Sequence, residues 1–130
     1  MMPPSIPTVD VREADLRRHE TAPDGGPAAL LVDVRELPEF AEVRAEDVIL
    51  LPMSSLPARL EELPQDRQLL FICRSGGRSG QVVAYLRANG RDDVANVAGG
   101  MLAWESAGLP VRRGAPAPGE GDPARGTARG

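Results

Sequence analysis

Residues 69–79 read Leu-Leu-Phe-Ile-Cys-Arg-Ser-Gly-Gly-Arg-Ser, and this stretch decides the fold class. Its first four residues form a continuous apolar run, which is typical of a strand buried on both faces of a sheet. Two glycines then favour a turn, and a helix pattern follows as far as Asn89, before Gly90. A strand, a turn and a helix in this order predict one unit of a parallel α/β sheet, with Cys73 at the carboxyl end of a central strand.

Cys73 is the only cysteine of the chain, and its predicted surroundings favour a reactive thiolate. The glycines of the turn let successive backbone N–H groups point toward one position, where they suit an anion. Ser79 is predicted to cap the helix, whose N-terminus carries about half a positive charge. Together with the two arginines of the turn, these groups are expected to lower the pKa of the thiol from its usual value of ~8.5. Cys73 is therefore the candidate nucleophile.

Two plainer interpretations of Cys73 are weaker. A lone cysteine is often only a small buried apolar side chain, but such a residue needs neither a glycine pair nor arginines beside it. A metal site is not expected, because the single histidine, His19, is far from Cys73 in sequence and the two residues supply no ligand cluster. No cofactor is expected either.

Length and composition predict one small α/β domain. A chain of 130 residues with 42% hydrophobic residues can bury a single core. One cysteine allows no internal disulfide, and an unpaired thiol suits a reducing compartment. The N-terminus lacks the pattern of a signal peptide and no apolar stretch approaches membrane-spanning length, so we expect a cytoplasmic protein without a membrane partner. The net charge of -4 provides no basic surface for nucleic acid.

Strand and helix patterns alternate along the chain. Strand patterns cover residues 8–9, 29–34, 48–51, 69–72 and 94–97, and helix patterns cover residues 10–20, 54–63, 79–89 and 99–104. This alternation predicts a single domain over residues 8–112, with a mostly parallel central sheet and helices on both faces. Residues 1–7 are expected to be flexible. Residues 113–130 are rich in Gly, Pro and Ala without a periodic apolar pattern, which predicts a disordered tail.

Three motifs follow one another at domain-length spacing. They are Val-Asp-Val-Arg-Glu at residues 32–36, the loop from Cys73 to Ser79, and Val-Ala-Gly-Gly-Met-Leu-Ala-Trp at residues 97–104 with Gly-Leu-Pro-Val at residues 108–111. Together they resemble the motifs of a single-domain rhodanese, a sulfurtransferase. The resemblance covers about residues 8–112 and implies the rhodanese-like α/β fold.

The resemblance implies a sulfur transfer in two steps. Cys73 would attack the outer sulfur of a small anionic donor such as thiosulfate and become a persulfide, which would pass the sulfur to cyanide, to a thiol or to a protein acceptor. Arg74 and Arg78 would hold the donor and stabilise charge on the departing group. The backbone amides of the loop would surround the persulfide. The implied binding residues are Arg74, Ser75, Gly76, Gly77, Arg78 and Ser79.

The resemblance also concerns two polar residues and one unusual turn. Asp33 and Arg35 would lie near the active-site end of the sheet and organise it by hydrogen bonds, whereas the residues alone are equally compatible with a solvated ion pair. Family members carry a Gly-His-Ile-Pro-Gly-Ala turn, but residues 43–48 here read Val-Arg-Ala-Glu-Asp-Val. Losing both glycines is expected to alter the backbone of that turn, and Arg44 replaces an imidazole with a permanent cation.

Three other functions stay open. A phosphatase or arsenate reductase also uses a cysteine in an anion-binding loop, but those loops place the arginine six positions after the cysteine, and here Ser79 occupies that position. A non-enzymatic docking or regulatory module would usually have lost the cysteine that this chain keeps. A thiol-redox sulfur carrier shares the persulfide chemistry, so the sequence does not separate it from a sulfurtransferase.

Overall fold

Five parallel strands form the central sheet in a computed structural model, which describes residues 5–124. The strands are β1 (Thr8–Val9), β2 (Ala29–Asp33), β4 (Ile49–Leu50), β5 (Gln68–Ile72) and β6 (Val94–Val97), in the spatial order β1-β6-β5-β2-β4. The apolar run of β5 is fully buried, because a neighbouring strand lies on each side and helices cover both faces. The prediction that Cys73 follows a central strand is confirmed.

Within residues 5–124, four helices cover the two faces of the sheet. They are α1 (Val11–His19), α2 (Leu37–Glu42), α3 (Gly77–Ala88) and α4 (Gly100–Ser106). One face packs against α1, α2 and α4 around the fully buried rings of Phe40 and Trp104. The other face packs against α3 through Val82 and Val83. The predicted α/β class, with a mostly parallel sheet between helices, is confirmed.

Residues 54–63 do not form the helix that their leucine spacing predicts. Two separate 3₁₀ turns lie in this region, at Met53–Ser55 and Leu60–Glu62. Pro57 explains the difference, because proline has no amide hydrogen to donate and its ring keeps the preceding residue out of the helical region. Leu56 accordingly has an extended backbone, with ψ of 146°.

Helix α2 has no counterpart among the predicted helices. It is six residues long, which is too short for an apolar period to be visible. A capping box between Glu36 and Glu39 begins it, and the Glu36 N–H donates to Glu39 Oε1 at 3.2 Å. This short helix carries Glu39 to the loop that contains Cys73.

The residues after α4 pair with an earlier strand and then lie against the edge of the central sheet. A short antiparallel ribbon pairs β3 (Arg44–Ala45) with β7 (Val111–Arg112), and the chain then follows the edge of the central sheet. At that edge the Leu50 N–H donates to the Gly121 carbonyl at 2.8 Å. Residues 113–124 thus have defined contacts instead of the disorder that their composition predicts. Residues 125–130 of the expected tail lie outside the described residues.

Arg44 is the polar anchor of this C-terminal segment. Its side chain is 3% exposed and forms an ion pair with Glu120. It also donates to the Gly114 carbonyl at 2.7 Å, and its guanidinium lies 5.2 Å from the centre of the Phe40 ring. Apolar periodicity could not reveal this contact, because a buried ion pair holds the segment. In the same turn Asp47 adopts a left-handed φ of 54°, a backbone conformation that favours glycine.

The start of the chain also contacts the sheet. The Pro7 carbonyl accepts from the Asn96 N–H at 2.9 Å, and Ile6 packs against the core, so these two residues differ from the flexible segment expected for residues 1–7. Residues 1–4 lie outside the described residues. Among residues 5–124, no helix combines the length and apolar character needed to cross a membrane.

Candidate active site

The loop after β5 folds around the sulfur of Cys73. The Gly76 N–H donates to Sγ at 3.1 Å, and the Ser79 hydroxyl lies 3.3 Å from Sγ. Gly76 has a φ of 105°, a backbone conformation that glycine adopts readily and other residues avoid. Gly76 is also the residue that precedes helix α3, so the prediction that Ser79 caps this helix is wrong. Ser79 lies inside the first turn, where its hydroxyl faces the sulfur.

The pKa of the Cys73 thiol lies below its ordinary value. Burial raises this pKa, but the hydrogen bond from the Ser79 hydroxyl and those from the backbone amides of Ser79, Gly76 and Ser75 lower it by more. The sequence predicts a lowered pKa for Cys73, and the groups that lower it are mainly a hydroxyl and backbone amides. The arginines, which were expected to share this role, are not among the principal contributors.

Arg78 is held by the carboxylate of Glu39. Two guanidinium nitrogens donate to Glu39 Oε1 and Oε2, each at 2.8 Å. The hydrogen bond from Arg78 is the main reason why the pKa of Glu39 falls to about 2. Because the two charges face each other, an anion that reaches the loop meets an ion pair at Arg78 and not an isolated cation.

A small cleft lies beside the cysteine loop and contains Arg74. Its volume is about 160 Å³. Its lining residues are Arg35, Glu39, Glu42, Val43, Arg74, Met101, Leu102 and Glu105. A larger cavity of about 500 Å³ lies under the C-terminal segment and includes no residue of the loop. The smaller cleft thus adjoins the loop through Arg74, and Cys73 is not one of its lining residues.

Asp33 and Arg35 form a buried ion pair at the carboxyl end of β2. The Arg35 side chain is 3% exposed and donates to Asp33 Oδ2 at 2.8 Å, to the Val43 carbonyl at 2.6 Å and to the Glu39 carbonyl at 3.2 Å. Burial raises the pKa of Asp33, and the hydrogen bonds and charge of Arg35 oppose that shift. The pair is thus not solvated, and it ties the end of β2 to the helix that carries Glu39.

Helix α4 holds the cysteine loop from another side. The Met101 N–H donates to the Cys73 carbonyl at 2.8 Å, and the Leu102 N–H donates to the Arg74 carbonyl at 3.0 Å. Gly100 permits this approach, because a Cβ at this position would lie 2.4 Å from the Cys73 carbonyl oxygen. The glycine pair at residues 99–100, which belongs to the third sequence motif, therefore lies directly against the cysteine loop, which is the second motif.

The motifs assign no role to two polar residues that the structure brings to the site. One is Glu39, the partner of Arg78. The other is Asn96, which is 9% exposed, lies within β6 and bonds both Gly76 and Ser79. An amide in an otherwise apolar buried strand is the signal that could have revealed Asn96, because buried polar groups need hydrogen-bond partners.

No group of His, Cys, Asp and Glu side chains suited to a metal ion occurs among residues 5–124. His19 lies at the end of α1, where its Nδ1 is 2.8 Å from the Asp15 carbonyl oxygen. The Gly76 amide and the Ser79 hydroxyl both lie within hydrogen-bond distance of Cys73 Sγ, so the site can stabilise negative charge on this sulfur.

Known proteins share both this fold and these motifs. A family model described as rhodanese-like domain matches residues 13–107. A sulfurtransferase of Allochromatium vinosum is 45% identical over 82 residues, which are 63% of this chain and 77% of that protein. The putative sulfurtransferase YtwF of Bacillus subtilis is 45% identical over 75 residues, which are 58% of this chain and 72% of that protein.

A solved structure also shows similarity to a rhodanese-like domain. The crystal structure of a rhodanese-like domain protein from Staphylococcus aureus superposes with a TM-score of 0.66 at 33% identity, and the match covers 76% of this chain and 91% of that one. The resemblance inferred from the three motifs is therefore confirmed. Because a family model matches most of the chain and relatives named sulfurtransferases align with it, the protein belongs to the rhodanese-like domain family.

Proposed function

We propose that this protein moves a sulfane sulfur from thiosulfate or a related donor to cyanide or a thiol through a persulfide on Cys73. The observation that carries the proposal is the position of Sγ, which lies 3.1 Å from the Gly76 amide and 3.3 Å from the Ser79 hydroxyl. Both donors suit a thiolate, and the backbone amide would also suit the sulfur of a persulfide. A single thiol that cycles in this way fits a reducing compartment, so we also propose a cytoplasmic location.

In the first half-reaction the Cys73 thiolate attacks the outer sulfur of thiosulfate. The S–S bond of the donor breaks, and sulfite leaves with the electron pair. Hydrogen bonds that lower the pKa of Cys73 favour this step, because they raise the fraction of thiolate at neutral pH. Arg74 lines the adjacent cleft and is the cation that we assign to the donor. Arg78 contributes to donor binding only when Glu39 releases it.

In the second half-reaction the acceptor attacks the outer sulfur of the persulfide. The S–S bond breaks, and its electron pair returns to Cys73, which leaves as a thiolate. The Ser79 hydroxyl and the loop amides stabilise that departing charge in the way that oxyanion-hole donors stabilise charge in other enzymes. The same groups therefore stabilise the Cys73 thiolate before it attacks the donor and after it leaves the persulfide. The acceptor is a small thiophile or a thiol carried by a protein.

Steady-state thiosulfate:cyanide sulfurtransferase activity tests this proposal. Cys73→Ser replaces the buried thiol with a hydroxyl of similar size, so the fold is expected to persist while transfer is lost by at least ~1000-fold, because a serine at this site has no base to activate it. Circular dichroism confirms the fold of the variant. Full activity in Cys73→Ser would remove the assignment of Cys73 as the nucleophile.

The alternative functions give different results in the same set of assays. A docking or regulatory module would form no persulfide with any donor. A sulfur carrier would form the persulfide but discharge it to a protein thiol far faster than to cyanide. Hydrolysis of phosphate esters by the purified protein would favour a phosphatase, although the ion pair between Arg78 and Glu39 leaves that arginine poorly placed for a phosphate dianion.

A further inference from the structure

The side chain of Asn96 lies directly behind the cysteine loop. It projects from β6, a strand whose other residues are apolar, and it is 9% exposed. Its Nδ2 donates to the Gly76 carbonyl at 3.1 Å, and its Oδ1 lies 2.6 Å from the Ser79 hydroxyl oxygen. Gly76 and Ser79 also form hydrogen bonds to Cys73 Sγ. One buried amide thus contacts two of the residues that contact the sulfur.

The Gly76 carbonyl fixes the orientation of this amide. A carbonyl oxygen only accepts, so the nitrogen of Asn96 must face Gly76 and the oxygen must face Ser79. The Ser79 hydroxyl is fully buried and has one hydrogen to donate. Two acceptors compete for that hydrogen, namely Asn96 Oδ1 at 2.6 Å and Cys73 Sγ at 3.3 Å. The hydroxyl is therefore held between the amide and the sulfur.

We propose that Asn96 is a positioning residue for sulfur transfer, which acts by keeping the Ser79 hydroxyl aligned between its own Oδ1 and Cys73 Sγ. The inference rests on the proposed function. In the thiolate the negative charge lies on Sγ, and the hydroxyl hydrogen turns toward it. In the persulfide the charge lies on the outer sulfur, and the same hydrogen returns to Oδ1. Only a hydrogen bond changes partner, so no proton is transferred.

The local packing favours a polar role for Asn96 over simple space filling. A Cβ on Gly80 would lie 3.4 Å from Asn96 Nδ2, so the amide fits closely between α3 and the sheet. An apolar side chain would fill the same space without the cost of burying an amide. The amide is retained at a position where both of its ends are used, and both bonds lead to the sulfur.

The rate of Cys73 alkylation by iodoacetamide, measured against pH, tests this inference. Ser79→Ala is expected to raise the titration midpoint by about one pH unit, because the thiolate loses a hydrogen bond from a hydroxyl. Asn96→Ala is expected to move it the other way, to a lower pH, because the Ser79 hydroxyl loses its competing acceptor Oδ1 and donates to Sγ alone. The double variant is expected to titrate like Ser79→Ala alone, since Asn96 acts through Ser79.

Two comparisons keep the result interpretable. Gln81→Ala, at an exposed position on α3, is the matched control and is expected to titrate like the wild type. If Asn96→Ala does not fold, Asn96→Val replaces it, because valine suits a strand and has no polar side-chain atom. A wild-type midpoint in the folded Asn96 variant would overturn the inference, and so would shifts that add in the double variant.

The titration does not depend on sulfur transfer, so the two proposals fail separately. Persulfide formation on wild-type Cys73, followed by mass spectrometry, tests the proposed function. A wild-type persulfide together with an unshifted Asn96 variant would reject the positioning role and leave the sulfurtransferase proposal intact. A wild type that forms no persulfide would reject the function, while the titration would still decide how Asn96 and Ser79 act on the thiol.

Discussion

At the scale of single residues, the main departure from the sequence motifs is the ion pair between Arg78 and Glu39. The motif places two arginines near the nucleophile, which implies a strongly cationic site. The structure leaves Arg74 in the cleft and neutralises Arg78 through two hydrogen bonds of 2.8 Å. The arginines are visible in the sequence because they lie in the same loop as the cysteine. The carboxylate is not visible in this way, because Glu39 lies on a separate helix, 34 positions before Cys73.

Glu39→Gln tests whether this pair limits the binding of anionic donors. The variant leaves Arg78 with a neutral partner, so we expect the KM for thiosulfate, a dianion, to fall about three- to tenfold, in line with the modest worth of partly exposed charge pairs. A donor without net charge is expected to show no such gain. Steady-state kinetics with the two donors measures the difference.

Glu42→Gln is the matched control for this prediction. Glu42 lines the same cleft, so its substitution removes one negative charge without releasing Arg78. An equal fall of KM in both variants would attribute the effect to the net charge of the cleft, and an unchanged KM in Glu39→Gln would show that the ion pair does not oppose the donor.

At the scale of structural elements, the sequence predicts the strands of the central sheet well, misses the short strands β3 and β7, and predicts some helices poorly. The buried strands read as continuous apolar runs, and they occur within a residue or two of the expected bounds. The helix expected at residues 54–63 fails because Pro57 interrupts it, and α2 is too short to show a period. The contact between α4 and the cysteine loop depends on tertiary packing, although the glycine pair that permits it is visible in the sequence.

Gly100→Ala tests the importance of that contact. The new methyl group would lie 2.4 Å from the Cys73 carbonyl oxygen, at a backbone φ of 55°, so either the loop or the helix must move. We expect a loss of about 3 kcal/mol or more in the free energy of unfolding, from strain and overpacking together. Urea denaturation provides the measurement.

Gly108→Ala separates the clash from the backbone strain. Gly108 has a φ of 73°, and nothing lies within 4 Å of a Cβ at that position. Its substitution is expected to cost only about 1 kcal/mol, because only the left-handed backbone is penalised. Equal losses in the two variants would mean that the close approach of α4 to the cysteine loop contributes nothing to stability.

At the scale of the whole molecule, the C-terminal segment is the part that composition misjudges most. Its Gly and Pro content predicts disorder, yet Arg44, Glu120 and Gly121 hold it against the edge strand β4. Composition reports only how much apolar surface a segment can bury, and here a buried ion pair and a backbone hydrogen bond supply the contacts. Edge strands are exposed to unwanted pairing, so a segment that covers β4 also protects the sheet.

Glu120→Gln tests whether this ion pair stabilises the fold. It leaves the buried guanidinium of Arg44 without a counter-charge, and we expect a loss of about 1–3 kcal/mol in the free energy of unfolding. Glu62→Gln is the matched control, because it breaks a solvated ion pair with Arg59 and is expected to cause no measurable change. Equal stabilities of the wild type and Glu120→Gln would contradict the anchoring role.

The effect of Glu120 is also expected to depend on pH in a defined direction. The hydrogen bond from Arg44 lowers the pKa of Glu120, so the folded state holds the charged form more strongly than the unfolded state does. This contribution is complete above the usual glutamate pKa of ~4.3 and disappears as the pH falls through the lowered value. The stability difference between the wild type and Glu120→Gln should therefore shrink on acidification, and a difference that grows would contradict the assignment.

Intact-protein mass spectrometry after incubation with thiosulfate tests the central claim most directly. The wild type is expected to gain the mass of one sulfur atom, to carry it on the peptide that contains Cys73, and to lose it when cyanide is added. Cys73→Ser is expected to gain nothing. A wild type that stays at its original mass with thiosulfate and with other sulfane-sulfur donors, or an added sulfur that persists in Cys73→Ser, would contradict persulfide chemistry at Cys73.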